Sequence, residues 1–231
     1  MVPRTIFQAL ATILLSGNVV SAACTRASLI AGAQSYIDAQ TAGKPSALGL
    51  ASTSKYMQNN KARDIASGLL STPFKLELVR TSADTTACAT YTMWISTSPK
   101  PYVVGTQITY SPSNSSASGL AITLIDTVAA TTGDLFFDAT KTKTYIQKED
   151  WSYINATASR PSRELLKTVG DSYLDMWTDA KAADRIPWGT ECERVEGSQY
   201  TNPCGKSLPR GGSAKANGMR RCVLVTRSGW K

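Results

Sequence analysis

Three runs rich in β-branched and aromatic residues follow one another between residues 88 and 130, with only short turn clusters between them. They are 88–97 (CATYTMWIST), 102–111 (YVVGTQITYS) and 121–130 (AITLIDTVAA). Runs of this composition read as strands, and the Ser/Pro/Gly-rich clusters at 96–101 and 111–119 read as hairpin turns. Strands joined this closely pair antiparallel, because a parallel neighbour needs a crossover of roughly a dozen residues. Residues 74–79, where Phe, Leu and Leu alternate with Lys and Glu, add a fourth strand. The expectation is a four-stranded antiparallel sheet.

Helical signals come before it. In 28–38, Leu29, Ala33, Tyr36 and Ile37, with Gln40 beyond, follow the 3.6-residue period. Thr25 is placed to cap the start, and Gly43, followed by Pro45, to close the end. Residues 61–70 are helix-like. Helices first and strands after is the order of an α+β fold, not of alternating βαβ units. Residues 164–175 then repeat the first helix: both segments contain Ser-Tyr-(Ile/Leu)-Asp, and Leu165, Val169, Tyr173 and Trp177 recur every four residues. The division expected is a first α+β unit over 23–138, a connector over 139–163 and a partial second unit over 164–205. The second unit is incomplete, because only one short strand-like run, 222–226, follows its helix. That helix is therefore expected to dock on the first unit.

Composition narrows the chemistry. The chain has no histidine, which removes Ser-His-Asp triads, Cys-His dyads, His-ligated zinc and a histidine base. No Gly-rich phosphate loop and no C-x-x-C is present, so no metal and no cofactor is expected. The net charge is +8, and residues 206–231 hold seven Lys or Arg and no acid. Without that tail and Arg4, the chain balances 17 basic against 17 acidic residues. The excess therefore reads as a solvated, poorly ordered basic tail, not as a folded nucleic-acid-binding face.

Residues 1–22 have the form of a secretory signal: a short basic start with Arg4, about ten apolar residues and small residues before Cys24. The apolar stretch is too short to span a bilayer, so no membrane association is expected after cleavage. Asn114 and Asn155 open N-glycosylation sequons. The five cysteines suit an oxidising compartment. Cys24 flanks the first helix and Cys88 opens a strand of the same unit, which suggests one bridge. Cys192 and Cys204 bracket a turn-rich loop and form a second candidate pair, leaving Cys222 free.

Helix, short helix, then antiparallel sheet resembles the cone-shaped fold shared by nuclear-transport-factor-2-like proteins, SnoaL-type cyclases and ketosteroid isomerase. More closely, the chain resembles a family of secreted fungal proteins of unknown function that carry two such units. Cys24-Thr-Arg-Ala-Ser-Leu29, Asp84-Thr-Thr-Ala-Cys-Ala-Thr-Tyr91 and Pro101-Tyr-Val-Val-Gly-Thr-Gln107 carry this resemblance. It continues through Ile125-Asp126, Thr131-Thr-Gly-Asp134, Glu149-Asp-Trp151 and Pro187-Trp-Gly-Thr-Glu-Cys-Glu-Arg-Val-Glu-Gly197. Past Arg221 the chain departs from that pattern, which implies a second unit cut short.

The resemblance implies a cavity inside the cone, where a carboxylate moves protons and a tyrosine steadies the developing charge. By period-two counting, Asp126 shares a strand face with Ile122, Leu124 and Val128. Tyr110 shares one with Ile108 and Thr106. These two are the candidate catalytic residues, and a structural carboxylate and a core tyrosine are the alternative readings. Tyr36, Tyr173, Trp94 and Trp188 read as packing residues. Two functions stay open. The favoured one is a secreted glycoprotein that binds a small hydrophobic ligand or acts on its host or environment. The other is a cofactor-free isomerase, cyclase or dehydratase of a polyketide- or terpenoid-type metabolite.

Overall fold

Thr25 caps α1 (Arg26–Ala42) by accepting from the Ser28 backbone N–H, and Gly43 closes it in the left-handed conformation. Leu29, Ala33, Tyr36, Ala39 and Gln40 form the buried stripe. Gln40 is polar, yet its amide has partners: it donates to the carbonyls of Leu69 (3.2 Å) and Thr72 (3.0 Å). This fastens the 3-10 turn Leu69–Ser71 to the helix. The computed structural model describes residues 24–113, 119–157, 160–189 and 193–201. Residues 1–22, expected to be a signal, Asn114, Cys192, Cys204, Cys222, the run 222–226 and the tail 206–231 lie outside the described residues.

The main sheet has six strands, in the order β2-β1-β6-β5-β4-β3. They are β1 (Lys55–Gln58), β2 (Lys61–Ala62), β3 (Leu78–Asp84), β4 (Ala89–Ser96), β5 (Tyr102–Pro112) and β6 (Leu120–Thr131). All pairs are antiparallel except β1 with β6. The α+β class stands, with two more strands than expected. The strand expected at 74–79 begins only at Leu78. Phe74 instead enters the core from a loop, its ring 5.3 Å from that of Trp94 and 5.2 Å from that of Tyr102.

Residues 61–70 are not a helix. Asn59 and Asn60 take φ of 49° and 62°, the pair of left-handed residues that a type I′ hairpin turn requires. Lys61–Ala62 is thereby folded back onto β1. Beyond it, the Asp64 carboxylate accepts from the Ala66 N–H at 2.9 Å, a local turn that competes with helix.

The two faces of the sheet are covered differently. On the inner face, α1 closes over Trp94, Val104, Ile108, Tyr110 and Ile125. On the outer face, the expected connector contains a helix, α2 (Ala139–Ile146), capped by Asp138. Its Ala139 and Ile146 pack on Leu78, Met93 and Ile95. Glu77 holds α2 down, receiving Lys143 Nζ at 2.5 Å and the Thr97 hydroxyl at 2.5 Å. Lys143 first, and then Thr97, pull the Glu77 carboxyl down to about 2.

The helix α3 (Arg163–Asp175) has its own small core. Val169 packs with Met176, Ala182, Ala183 and Ile186. The expected docking on the first unit is replaced by local closure, because the chain after Met176 folds back as the 3-10 turn Ala182–Arg185. Arg163 pairs with Asp84 at the end of β3 at 2.6 Å. A hairpin, β7 (Arg194–Glu196) and β8 (Gln199–Thr201), completes the described chain. Cys24 and Cys88 form a disulfide with Cα atoms 5.3 Å apart, joining the start of α1 to the head of β4. Among the described residues no helix is long and apolar enough to cross a membrane.

Candidate functional site

On the inner face the buried polar groups pair with one another. Trp94 Nε1 donates to the Tyr36 hydroxyl at 3.0 Å, and that hydroxyl shares a hydrogen bond of 2.7 Å with Thr106 Oγ1. Thr106 in turn lies 3.1 Å from Thr127 Oγ1. An indole N–H can only donate, so Tyr36 is the acceptor of the Trp94 bond. Burial raises Tyr36 to about 12, although Thr106 and Trp94 pull the other way. Tyr110 lies in the same core, its hydroxyl 3.3 Å from Thr90 Oγ1 and close over Gly32 of α1.

A groove of about 320 Å³ opens instead on the outer face. Its floor is Tyr91 from β4, Val103 and Gly105 from β5, and Val128 and Ala130 from β6. Leu135, Phe137 and Thr142, with the Gly197-Ser198 turn of the β7–β8 hairpin packed against them, complete the lining. Gly105 is what lets the Tyr91 ring lie across the sheet: a Cβ there would stand 2.6 Å from the phenol oxygen. Burial raises the Tyr91 phenol, so it stays protonated. Among the described residues no hydrogen bond reaches its hydroxyl.

The hairpin turn is fixed to the start of α2. Ser198 N–H donates to the Phe136 carbonyl at 3.0 Å. The Ser198 hydroxyl donates to the Asp138 carbonyl (2.9 Å) and accepts from the Asp138 N–H (2.6 Å). Gly197 has φ of 58°, and a Cβ there would meet the Leu135 carbonyl at 2.5 Å, so glycine is required on both counts. At the mouth, Leu135 is 68% and Phe136 56% exposed, and Phe136 holds a left-handed φ of 50°.

The structure does not bring Asp126 and Tyr110 together. An extra residue in β6, Thr123, shifts the register: Thr109 pairs with Leu124, but Tyr110 pairs with Ile122. Such a bulge reverses the face of everything beyond it. Ile122 therefore belongs to the inner core, whereas Asp126, opposite Gln107 and Met57, falls on the outer face with Leu124 and Val128. Period-two counting missed this because it assumes an unbroken strand. Asp126 is half-buried and outside the groove lining. Asn155 is exposed in the loop before α3. Nearby, Arg26 and Arg160 flank the Tyr153 ring at 4.4 and 4.6 Å. Among the described residues no group of three or more Cys, Asp or Glu stands ready to hold a metal ion.

The sequence missed the groove because its floor comes from three strands and the rest of its lining from the end of the expected first unit, the connector and a turn-rich loop. Gly105, a glycine in the middle of a β-branched run, was the available signal of a close approach.

Residues 159–229 match the family model of a domain of unknown function, DUF8021. The matched stretch includes α3 and the β7–β8 hairpin, hence the Gly197-Ser198 wall, but none of the main sheet. No curated protein and no solved structure matches the chain.

Proposed function

We propose that this is a secreted, glycosylated protein that binds a small apolar molecule in the groove on the outer face of its sheet. The groove carries the reading. Its volume falls at the low end of the ≈ 300–1,000 Å³ typical of ligand sites, its floor is largely aliphatic, and its lining includes the exposed Leu135. The signal-like residues 1–22, the exposed Asn155 sequon and the Cys24–Cys88 bridge support the export part of the reading.

Titration of the full chain with 6-propionyl-2-(dimethylamino)naphthalene, a neutral two-ring fluorophore, tests the binding. Saturable enhancement is expected, and Ala130→Trp, which fills the floor, abolishes it. Enhancement unaffected by Ala130→Trp contradicts the groove as the site. Sequencing the protein from culture medium tests export: a start at Ala23 or Cys24 is expected, and an intact Met1 rejects it.

A further inference from the structure

We infer that the groove selects an uncharged one- or two-ring compound carrying a carbonyl oxygen, held by a hydrogen bond from the Tyr91 hydroxyl. This rests on the groove being the ligand site. Three observations lead to it.

The first is the chemistry of the lining. No Lys, Arg, Asp or Glu is among the described residues that line the groove. A carboxylate or an amine entering it would lose water and find no counter-charge, so charged ligands are disfavoured.

The second is which polar groups are free to act. Thr142 and Ser198 are committed: their hydroxyls lie 2.9 Å apart, and both engage the Asp138 carbonyl. Tyr91 differs. Among the described residues nothing hydrogen-bonds its hydroxyl, and burial keeps it protonated. Its oxygen is not among the enclosed polar atoms left without a partner, so solvent reaches it, and the oxygen of a ligand in the groove would replace water as its acceptor.

The third is shape. The Tyr91 ring lies across Gly105, and the floor beyond it is made by Val103, Val128 and Ala130 on adjacent strands. A low sheet floor of small and branched side chains suits a flat ring. About 320 Å³ admits one or two rings and not a long acyl chain.

A matched pair of neutral probes tests this by equilibrium dialysis against the full chain: 2-acetylnaphthalene and 2-isopropenylnaphthalene. They have the same shape, but only the first has an acceptor oxygen. Each is measured on the wild type, on Tyr91→Phe and on Ala130→Trp, with 2-naphthoate as the anionic comparison. Both neutral probes are expected to bind the wild type and to lose binding in Ala130→Trp. Tyr91→Phe should keep the isopropenyl probe and weaken the acetyl probe roughly five- to tenfold relative to it. The naphthoate should bind most weakly. An acetyl-to-isopropenyl ratio unchanged by Tyr91→Phe overturns the assignment to Tyr91 and leaves the groove standing. Tightest binding by the naphthoate also overturns it. Failure of both neutral probes to bind, or binding unaffected by Ala130→Trp, overturns the groove itself and the inference with it.

Discussion

The two faces of one sheet are built from alternate residues of the same strands, yet they reach opposite ends. On β4, Thr92 and Trp94 point inward and are wholly buried, while Tyr91 points outward and is only partly so. Inside, the helix α1 lies over the strands, and Trp94, Tyr36, Thr106 and Thr127 satisfy one another. Outside, α2 has only eight residues and covers one part of the sheet, so the neighbouring part is walled by loop and hairpin. A full helix seals a face, and a short one leaves space beside it. In this chain the enclosed core concentrates on the inner face, and the groove proposed as a ligand site lies on the outer one.

Truncating the buried side chains breaks this contrast most visibly. Trp94→Ala should cost about 3–5 kcal/mol by urea unfolding, because Trp94 is fully enclosed. Phe137→Ala, on the half-buried groove wall, should cost about 1–2 kcal/mol. Equal costs would mean that the outer wall is as much core as the inner face.

The disulfide comes next. It closes a span of 64 residues containing α1 and β1–β3, for which chain entropy alone suggests about 4 kcal/mol. Replacing both Cys24 and Cys88 by Ser should lower unfolding stability by roughly 2–4 kcal/mol. The groove should still bind its probe, since neither cysteine lines it.

Much of this architecture was legible because it rests on local signals. Thr25 and Gly43 bound α1 where a capping hydroxyl and a left-handed glycine place them, and strands β4 to β6 lie between their expected turn residues. What was hidden depends on distant partners or on small defects. The four residues of β1 are a strand only because β6 receives them in parallel. Asn59-Asn60 is a hairpin turn that passed for a polar stretch. The helix α2 carries Thr and Lys with few apolar residues, so only the surface beneath reveals it. One inserted residue, Thr123, moved Asp126 to the other face and separated the expected catalytic pair.

The clamp on α2 should show in the pH dependence. Glu77 is only 15% exposed and Lys143 22%, so their pair is shielded from solvent more than a surface bridge. The Glu77 carboxyl sits at about 2 when folded against an ordinary 4.5. Its stabilisation is therefore complete above about 4.5 and is lost as the pH falls toward 2. Glu77→Gln should cost about 1–3 kcal/mol at neutral pH. The gap to wild type should narrow steadily as urea midpoints are taken from pH 5 down to pH 2.5. A gap that stays constant over that range would show that the carboxylate charge is not what holds α2.

The most direct test of the contrast is one chemical change made once on each face. Tyr36→Phe and Tyr91→Phe each remove a single phenolic oxygen, and urea unfolding of both at neutral pH compares them. Tyr36→Phe should cost about 1–3 kcal/mol, because the Trp94 N–H is left buried without an acceptor. Tyr91→Phe should change stability by less than about 0.5 kcal/mol, because among the described residues no group bonds that hydroxyl. If Tyr91→Phe instead costs as much as Tyr36→Phe, the outer phenol is part of the fold's own hydrogen bonding, and the account of the outer face as a ligand surface is wrong.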